Sequence, residues 1–173
     1  KNGLTNDAVL SFCEDREGYL WLGTSDGLNR FRDGDFTTYT VLEGLTNDVV
    51  WCVLEDRKGT VWLGTNGGGL NRLTISGKGI GTVAPPPVEL GLSNKTIRAI
   101  TEARDGTLWI GTYGEGLYRV RDGTATAEFV DSLNGKFIYC ILEDRQRNLW
   151  IGTGNGLYRK DRQGTMTQYS ARE

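Results

Sequence analysis

Leu20-Trp21-Leu22-Gly23-Thr24 returns as Val61-Trp62-Leu63-Gly64-Thr65, as Leu108-Trp109-Ile110-Gly111-Thr112 and as Leu149-Trp150-Ile151-Gly152-Thr153. The four tryptophans are 41, 47 and 41 residues apart, a period at which each unit is one supersecondary motif that buries its apolar faces against its neighbours. A leucine stands 17 residues before each tryptophan, at Leu4, Leu45, Leu92 and Leu133. This half of the unit therefore keeps a constant length, and insertions fall elsewhere.

A polar turn follows each leucine: Thr5-Asn6-Asp7, Thr46-Asn47-Asp48, Ser93-Asn94-Lys95 and a degenerate Asn134-Gly135-Lys136. Such side chains hydrogen-bond their own backbone in turns. The next stretch, as in Val49-Val50-Trp51-Cys52-Val53-Leu54, is aliphatic and β-branched without helical periodicity, and predicts the first strand of the unit. Glu14-Asp15-Arg16-Glu17-Gly18 and Glu55-Asp56-Arg57-Lys58-Gly59 then supply a turn-forming aspartate and a glycine three residues on that tolerates positive φ. The Trp-centred strand is second, and the third begins at Gly27, Gly69, Gly116 or Gly156. Turns such as Asp33-Gly34 and Asp122-Gly123 lead to an outer strand like Phe36-Thr37-Thr38-Tyr39-Thr40.

Each unit thus reads as a four-stranded antiparallel meander. Four such units with no helix expected point to an all-β chain of β-propeller blades, since the strands of a sandwich do not repeat in sequence. The blades run approximately 1–41, 42–88, 89–129 and 130–173, within one propeller region. The longer second unit carries an extra glycine in Gly67-Gly68-Gly69 and five further residues around Gly77 to Pro87, where Pro85-Pro86-Pro87 makes a stiff surface extension.

Composition narrows the function classes. Of 173 residues, 20 are Lys or Arg and 22 are Asp or Glu, for a net charge of -2, with the signs interspersed. No nucleic-acid footprint is visible. No apolar run reaches bilayer length, so no membrane contact by this segment is expected. The chain opens at Lys1 without a methionine or signal peptide, as an excised piece would. Histidine is absent, which removes the commonest general base and metal ligand. Cys13, Cys52 and Cys140 have no CxxC spacing and read as small buried thiols, with neither a disulfide framework nor a zinc site. No catalytic residue, metal or cofactor is expected. Gly67-Gly68-Gly69 lacks the Lys-Ser/Thr of a phosphate loop.

The phrase Glu-Asp-Arg-x-Gly-x-Leu-Trp-Leu-Gly-Thr-x-x-Gly-Leu-Asn-Arg resembles the two-component regulator propeller repeat, and the resemblance covers nearly the whole chain. The fourth copy departs from it at Arg147, which replaces the turn glycine, and lacks the Asn-Asp turn. The resemblance implies an extracytoplasmic or periplasmic sensor module of a hybrid histidine kinase anchored in the inner membrane. It also implies propellers of seven blades, of which four would be part. The end sheets of such a piece would expose apolar faces. The expectation is a homo-oligomer, with two four-bladed halves closing one ring, or else a tight four-bladed ring.

In a propeller the loops before the first strand share one face with those joining strands two and three, and that face commonly binds ligand. Asn6, Asp7, Asn47, Asp48, Asn94, Lys95, Asn134 and Lys136 fall in the first set, and Ser25, Asp26, Asn66, Tyr113, Glu115 and Asn155 in the second. Leu10, Trp51, Arg98 and Tyr139 occupy one equivalent position near the start of the innermost strand. The next position is always small: Ser11, Cys52, Ala99, Cys140. That smallness fits crowding near the propeller axis. A variable site beside a constrained one lets a binding surface diversify. Aromatic rings flanked by an arginine and amides suit a sugar or uronic acid; the same rings would also serve as a plug of the channel.

Trp21, Trp62, Trp109 and Trp150 are read as blade packing, and the acidic pairs Glu14-Asp15, Glu55-Asp56 and Glu143-Asp144 as turn formers. The functional expectation is a sensor propeller binding an oligosaccharide or other polar small molecule, with no enzyme activity in this segment. The alternatives are a lyase-type propeller enzyme, whose histidines would have to come from other blades, and a protein-interaction scaffold.

Overall fold

The computed structural model describes residues 3–75, 81–85, 90–121 and 133–171. These divide into two compact units, Lys1–Ile97 and Arg98–Glu173.

The first unit holds two antiparallel four-stranded sheets. Blade one runs β1 (Val9–Glu14), β2 (Leu20–Thr24), β3 (Gly27–Arg32) and β4 (Asp35–Tyr39). Blade two runs β5 (Val50–Glu55), β6 (Val61–Thr65), β7 (Gly69–Thr74) and β8 (Thr82–Ala84). Alternation selects the buried face: the cross-strand row Val61–Leu73–Val83 lies inside, as does Leu63 one step along. Trp21, Leu28, Tyr39, Leu45 and Val50 join them in one core, each large aliphatic side chain contributing about 1.5–3 kcal/mol by leaving water.

The second unit contains β9 (Ile97–Glu102), which starts one residue before it, with β10 (Leu108–Thr112) and β11 (Leu117–Val120), and blade four: β12 (Ile138–Glu143), β13 (Leu149–Thr153), β14 (Gly156–Lys160) and β15 (Met166–Tyr169). Its core gathers Trp109, Leu117, Leu133, Ile138, Leu149, Ile151 and Tyr158. The turn at Asp122-Gly123 and the outer strand after it lie outside the described residues. The stretch from Gly77 to Pro87 is described only at 81–85.

The expectation of no helix is corrected at one stretch of the described residues. Val41–Glu43 form a single 3-10 turn, because Thr40 and Glu43 cap each other's backbone reciprocally and Gly44 closes the turn at φ 105°.

The Glu-Asp-Arg triplet explains how the hairpin ends are built. Asp15 Oδ1 accepts the amides of Glu17 and Tyr19, while its Oδ2 accepts the Trp21 indole N–H at 2.8 Å. Asp56 with Trp62 and Asp144 with Trp150 repeat the tie at 2.7 and 2.8 Å. Two of the glutamates before these aspartates reach the preceding hairpin: Glu55 Oε2 accepts Arg16 N at 2.9 Å, and Glu143 Oε2 accepts Arg104 N at 2.8 Å. The arginine answers, Arg16 Nη2 donating to Asp56 O at 2.6 Å. The acidic pairs therefore form the turn, as expected, and also fasten one blade to the next. Trp21 and Trp109 are buried in the cores, whereas Trp62 and Trp150 are only half-buried.

Candidate functional site

The loops before the innermost strands do meet those between strands two and three within each unit. In blade one Asn6 Nδ2 donates to Asp26 Oδ2 at 2.7 Å, and its Oδ1 accepts Ala8 N. Asn29, buried on β3, accepts Thr5 N and donates to Thr5 Oγ1; Asn71 does the same for Thr46. Most of the polar residues assigned to this face thus carry structural bonds. Asn47 Oδ1 accepts Val49 N at 2.9 Å, and Asp48 Oδ1 accepts Val41 N at 2.7 Å. Asn94 takes the left-handed φ of 60° that a short polar side chain tolerates. Lys95 O accepts Gly69 N, Asp7 O accepts Val9 N, and Glu115 N donates to Thr112 Oγ1.

The variable position has a backbone cause. Between Val9 and Ser11, Val50 and Cys52, and Ile138 and Cys140, the register with the second strand shifts by one residue. Leu10, Trp51 and Tyr139 are therefore β-bulge residues, outside the ladder and free to differ, as a bulge allows. The small residue that follows faces the glycine of the Trp-Leu-Gly-Thr phrase. A Cβ on Gly23 would lie 2.6 Å from Ser11 Oγ, and one on Gly64 or Gly152 would collide with Cys52 or Cys140 Sγ. The smallness comes from this cross-strand approach. Nor are the thiols uniformly buried: Cys140 is exposed and Cys13 and Cys52 half-buried.

In the first unit the Trp51 indole N–H points to Asn66 Oδ1 at 3.5 Å, and Thr96 Oγ1 donates to the same oxygen at 3.3 Å. In the second unit the structure brings together Arg98, Tyr113 and Tyr139 and adds Phe137. Tyr113 bridges Phe137 across the blades, and their rings stack at 4.2 Å with 16° between planes. The Arg98 guanidinium lies 6.0 Å from the Tyr113 centroid and 5.8 Å from that of Tyr139. Gly154 and Gly114 keep the neighbourhood open; a Cβ on Gly114 would stand 3.2 Å from the Phe137 ring. The three rings are 48, 41 and 44% exposed for Tyr113, Phe137 and Tyr139. That is much apolar surface left in water beside a cation. It can receive the face of a ring while the guanidinium binds an acceptor.

Phe137 was missed in the sequence reading. Its signal is parity, because Phe137 and Tyr139 are two apart in an extended segment and share a side.

At the opposite, hairpin end two carboxyl groups are displaced in pKa. Desolvation pushes Asp144 up, but hydrogen bonds from the Asn148 side chain, the Trp150 indole and the amides of Asn148 and Gln146 outweigh it and lower it to about 2. Desolvation likewise opposes the Thr107 hydrogen bonds and the Arg121 charge at Asp105, whose pKa ends below the ordinary value. Among the described residues no group of three or more Cys, Asp or Glu is arranged to hold a metal ion.

Repeated antiparallel meanders, each strand paired with its neighbour in sequence, define the blades of a β-propeller. The chain belongs to the two component regulator propeller family, whose model matches residues 3–26, 44–67, 91–114 and 132–155. It is similar to the extracellular domain of a hybrid two component system, BT3049, from B. thetaiotaomicron, with a TM-score of 0.80 and 25% identity over 98% of this chain and 23% of that one. A second from that organism, BT4673, gives 0.78 and 23% over 99 and 24%. Virginiamycin B lyase from Staphylococcus aureus gives 0.71 and 22% over 97 and 58%, a likeness of fold alone. The chain thus spans about a quarter of the length of the two-component structures it resembles. No curated protein sequence matches it.

Proposed function

We propose that this chain is part of the extracytoplasmic sensor propeller of a two-component signalling protein, and that the Arg98–Tyr113–Phe137–Tyr139 cluster is a subsite for an oligosaccharide. Family membership and the extracellular two-component neighbours support the sensor reading. Among the described residues no helix is long and apolar enough to cross a membrane.

The observation that carries the ligand class is the exposed stacked pair with a guanidinium about one ring-width away. A pyranose presents one apolar face and a rim of hydroxyls, which is the complement of such a platform. Binding would act through a shift in the population of blade arrangements that the ligand favours. The absence of histidine in the chain leaves a propeller lyase without its usual base here.

Titration of the chain with a panel of neutral and acidic oligosaccharides, followed by calorimetry, tests the proposal. Tyr113→Ala and Tyr139→Ala are each expected to weaken the best binder about tenfold, the usual loss for one stacked ring, with little change in melting temperature since both rings are exposed. Equal affinity in wild type and both variants would overturn the site.

A further inference from the structure

Blade three lacks one part of the hairpin that the other blades share. Where Asp15, Asp56 and Asp144 accept an indole N–H, blade three has Ala103. The backbone turn is nevertheless the same, with Ala103 N donating to Thr107 O at 2.8 Å and Gly106 N to Ala103 O at 2.9 Å. One duty of the lost carboxylate has moved: Asp105 Oδ1 accepts Thr107 N at 3.0 Å. The other has not, for among the described residues no carboxylate replaces the lost one at the Trp109 indole. Trp109 keeps the same strand register as its counterparts, facing Arg119 as Trp150 faces Arg159, and is only 8% exposed.

A cleft of about 260 Å³ opens at this place, bordered by Ala103 and Trp109 together with Arg119, Arg147, Lys160 and Arg162. Lys160 Nζ lies 5.2 Å from the Trp109 ring. The acids that also border it are tied to backbone: Asp105 as above, Glu143 to Arg104 N, and Asp161 to the amides of Gln163 and Thr165. Arg147 is the residue that replaces the turn glycine. It holds φ 66° where Gly18, Gly59 and Gly106 hold 81, 81 and 82°, a conformation unfavourable for a side chain with a Cβ. A costly backbone state thus carries a cation to the rim of a cleft that lies where the other blades hold an internal carboxylate.

We propose that this cleft binds a small carboxylate, one oxygen of which takes the place on the Trp109 indole N–H that an aspartate fills in the other three blades. The bordering cations balance its charge, and the volume admits a single acidic monosaccharide rather than a chain. The site lies at the hairpin end of the second unit, away from the loop end that holds Tyr113 and Tyr139, and does not depend on the reading of that cluster.

The test is glucuronate against glucose, read on the full chain by the indole N–H resonances of its five tryptophans. Glucuronate is expected to shift, saturably, the one resonance that Trp109→Phe deletes, and glucose to leave it in place. Ala103→Asp supplies the missing carboxylate and should abolish the shift while raising the melting temperature. Arg147→Gly restores the turn residue of the other blades and should weaken binding about tenfold without loss of stability. Tyr139→Ala should leave this shift intact even if it removes sugar binding at the loop end. An unmoved Trp109 resonance, an equal response to glucose, or an undiminished response in Ala103→Asp would each overturn the proposal.

Discussion

Asp144 shows how much one side chain carries in this fold. It gathers the Asn148 amide at 2.8 Å, the Asn148 carboxamide at 2.8 Å and the Trp150 indole at 2.8 Å. Its pKa of about 2 lies below the roughly 3.9 of an unfolded aspartate. A carboxyl depressed in this way adds stability that is complete above the unfolded value and disappears as the pH falls through the folded one. Asp144→Asn should therefore melt lower than wild type at neutral pH, and the difference should shrink as the pH falls from about 4 to about 2. Melting curves over that range check it, and a constant difference would refute the role. The aspartate was legible in the sequence as a turn former. Its second oxygen, committed to the indole, was not, because nothing in the spacing says which way the ring nitrogen points.

Single strands tolerate little change where the glycine of the second strand meets the small residue of the first. A Cβ on Gly64 meets Cys52 Sγ, Ile97 Cγ2 at 2.7 Å and Ile97 Cβ at 2.9 Å, and Ile97 is fully buried. On Gly152 it meets only the sulfur of Cys140, an exposed residue. Gly64→Ala is thus expected to cost about 1–3 kcal/mol, the usual toll of overpacking, and Gly152→Ala clearly less. Chemical denaturation of both variants measures the gap. Alternation and turn residues sufficed to place the strands, since period two and positive-φ glycines are local properties. The bulges at Leu10, Trp51 and Tyr139 were visible only as sequence variability, because the extra residue shows itself when two strands are paired. Phe137 escaped for the same reason, being opposite Tyr113 only across blades.

For the molecule as a whole, apolar side chains remain in water on the innermost strands of the first and fourth blades: Phe12 is 74% exposed in the first unit and Leu142 63% in the second. Exposed large hydrophobes on regular strands mark surfaces that expect cover. We propose that a second copy of the chain supplies it, so light scattering of the isolated chain should report more than a monomer, and Phe12→Lys with Leu142→Lys should shift it toward one. A monomeric wild type would remove that proposal. The sequence by itself determined the repeat, the all-β blades, the hairpin turns and the family, because each is written in spacings of a few residues that recur four times. Only the tertiary structure decided the rest: the carboxylate–indole ties, the stacked Tyr113–Phe137 pair beside Arg98, and the cleft beneath Ala103. The ties join residues 6 apart whose ring orientation the spacing does not set, the stacked pair is made only where two blades meet, and the cleft rests on an absence at one blade that acquires meaning only when the other three are laid over it.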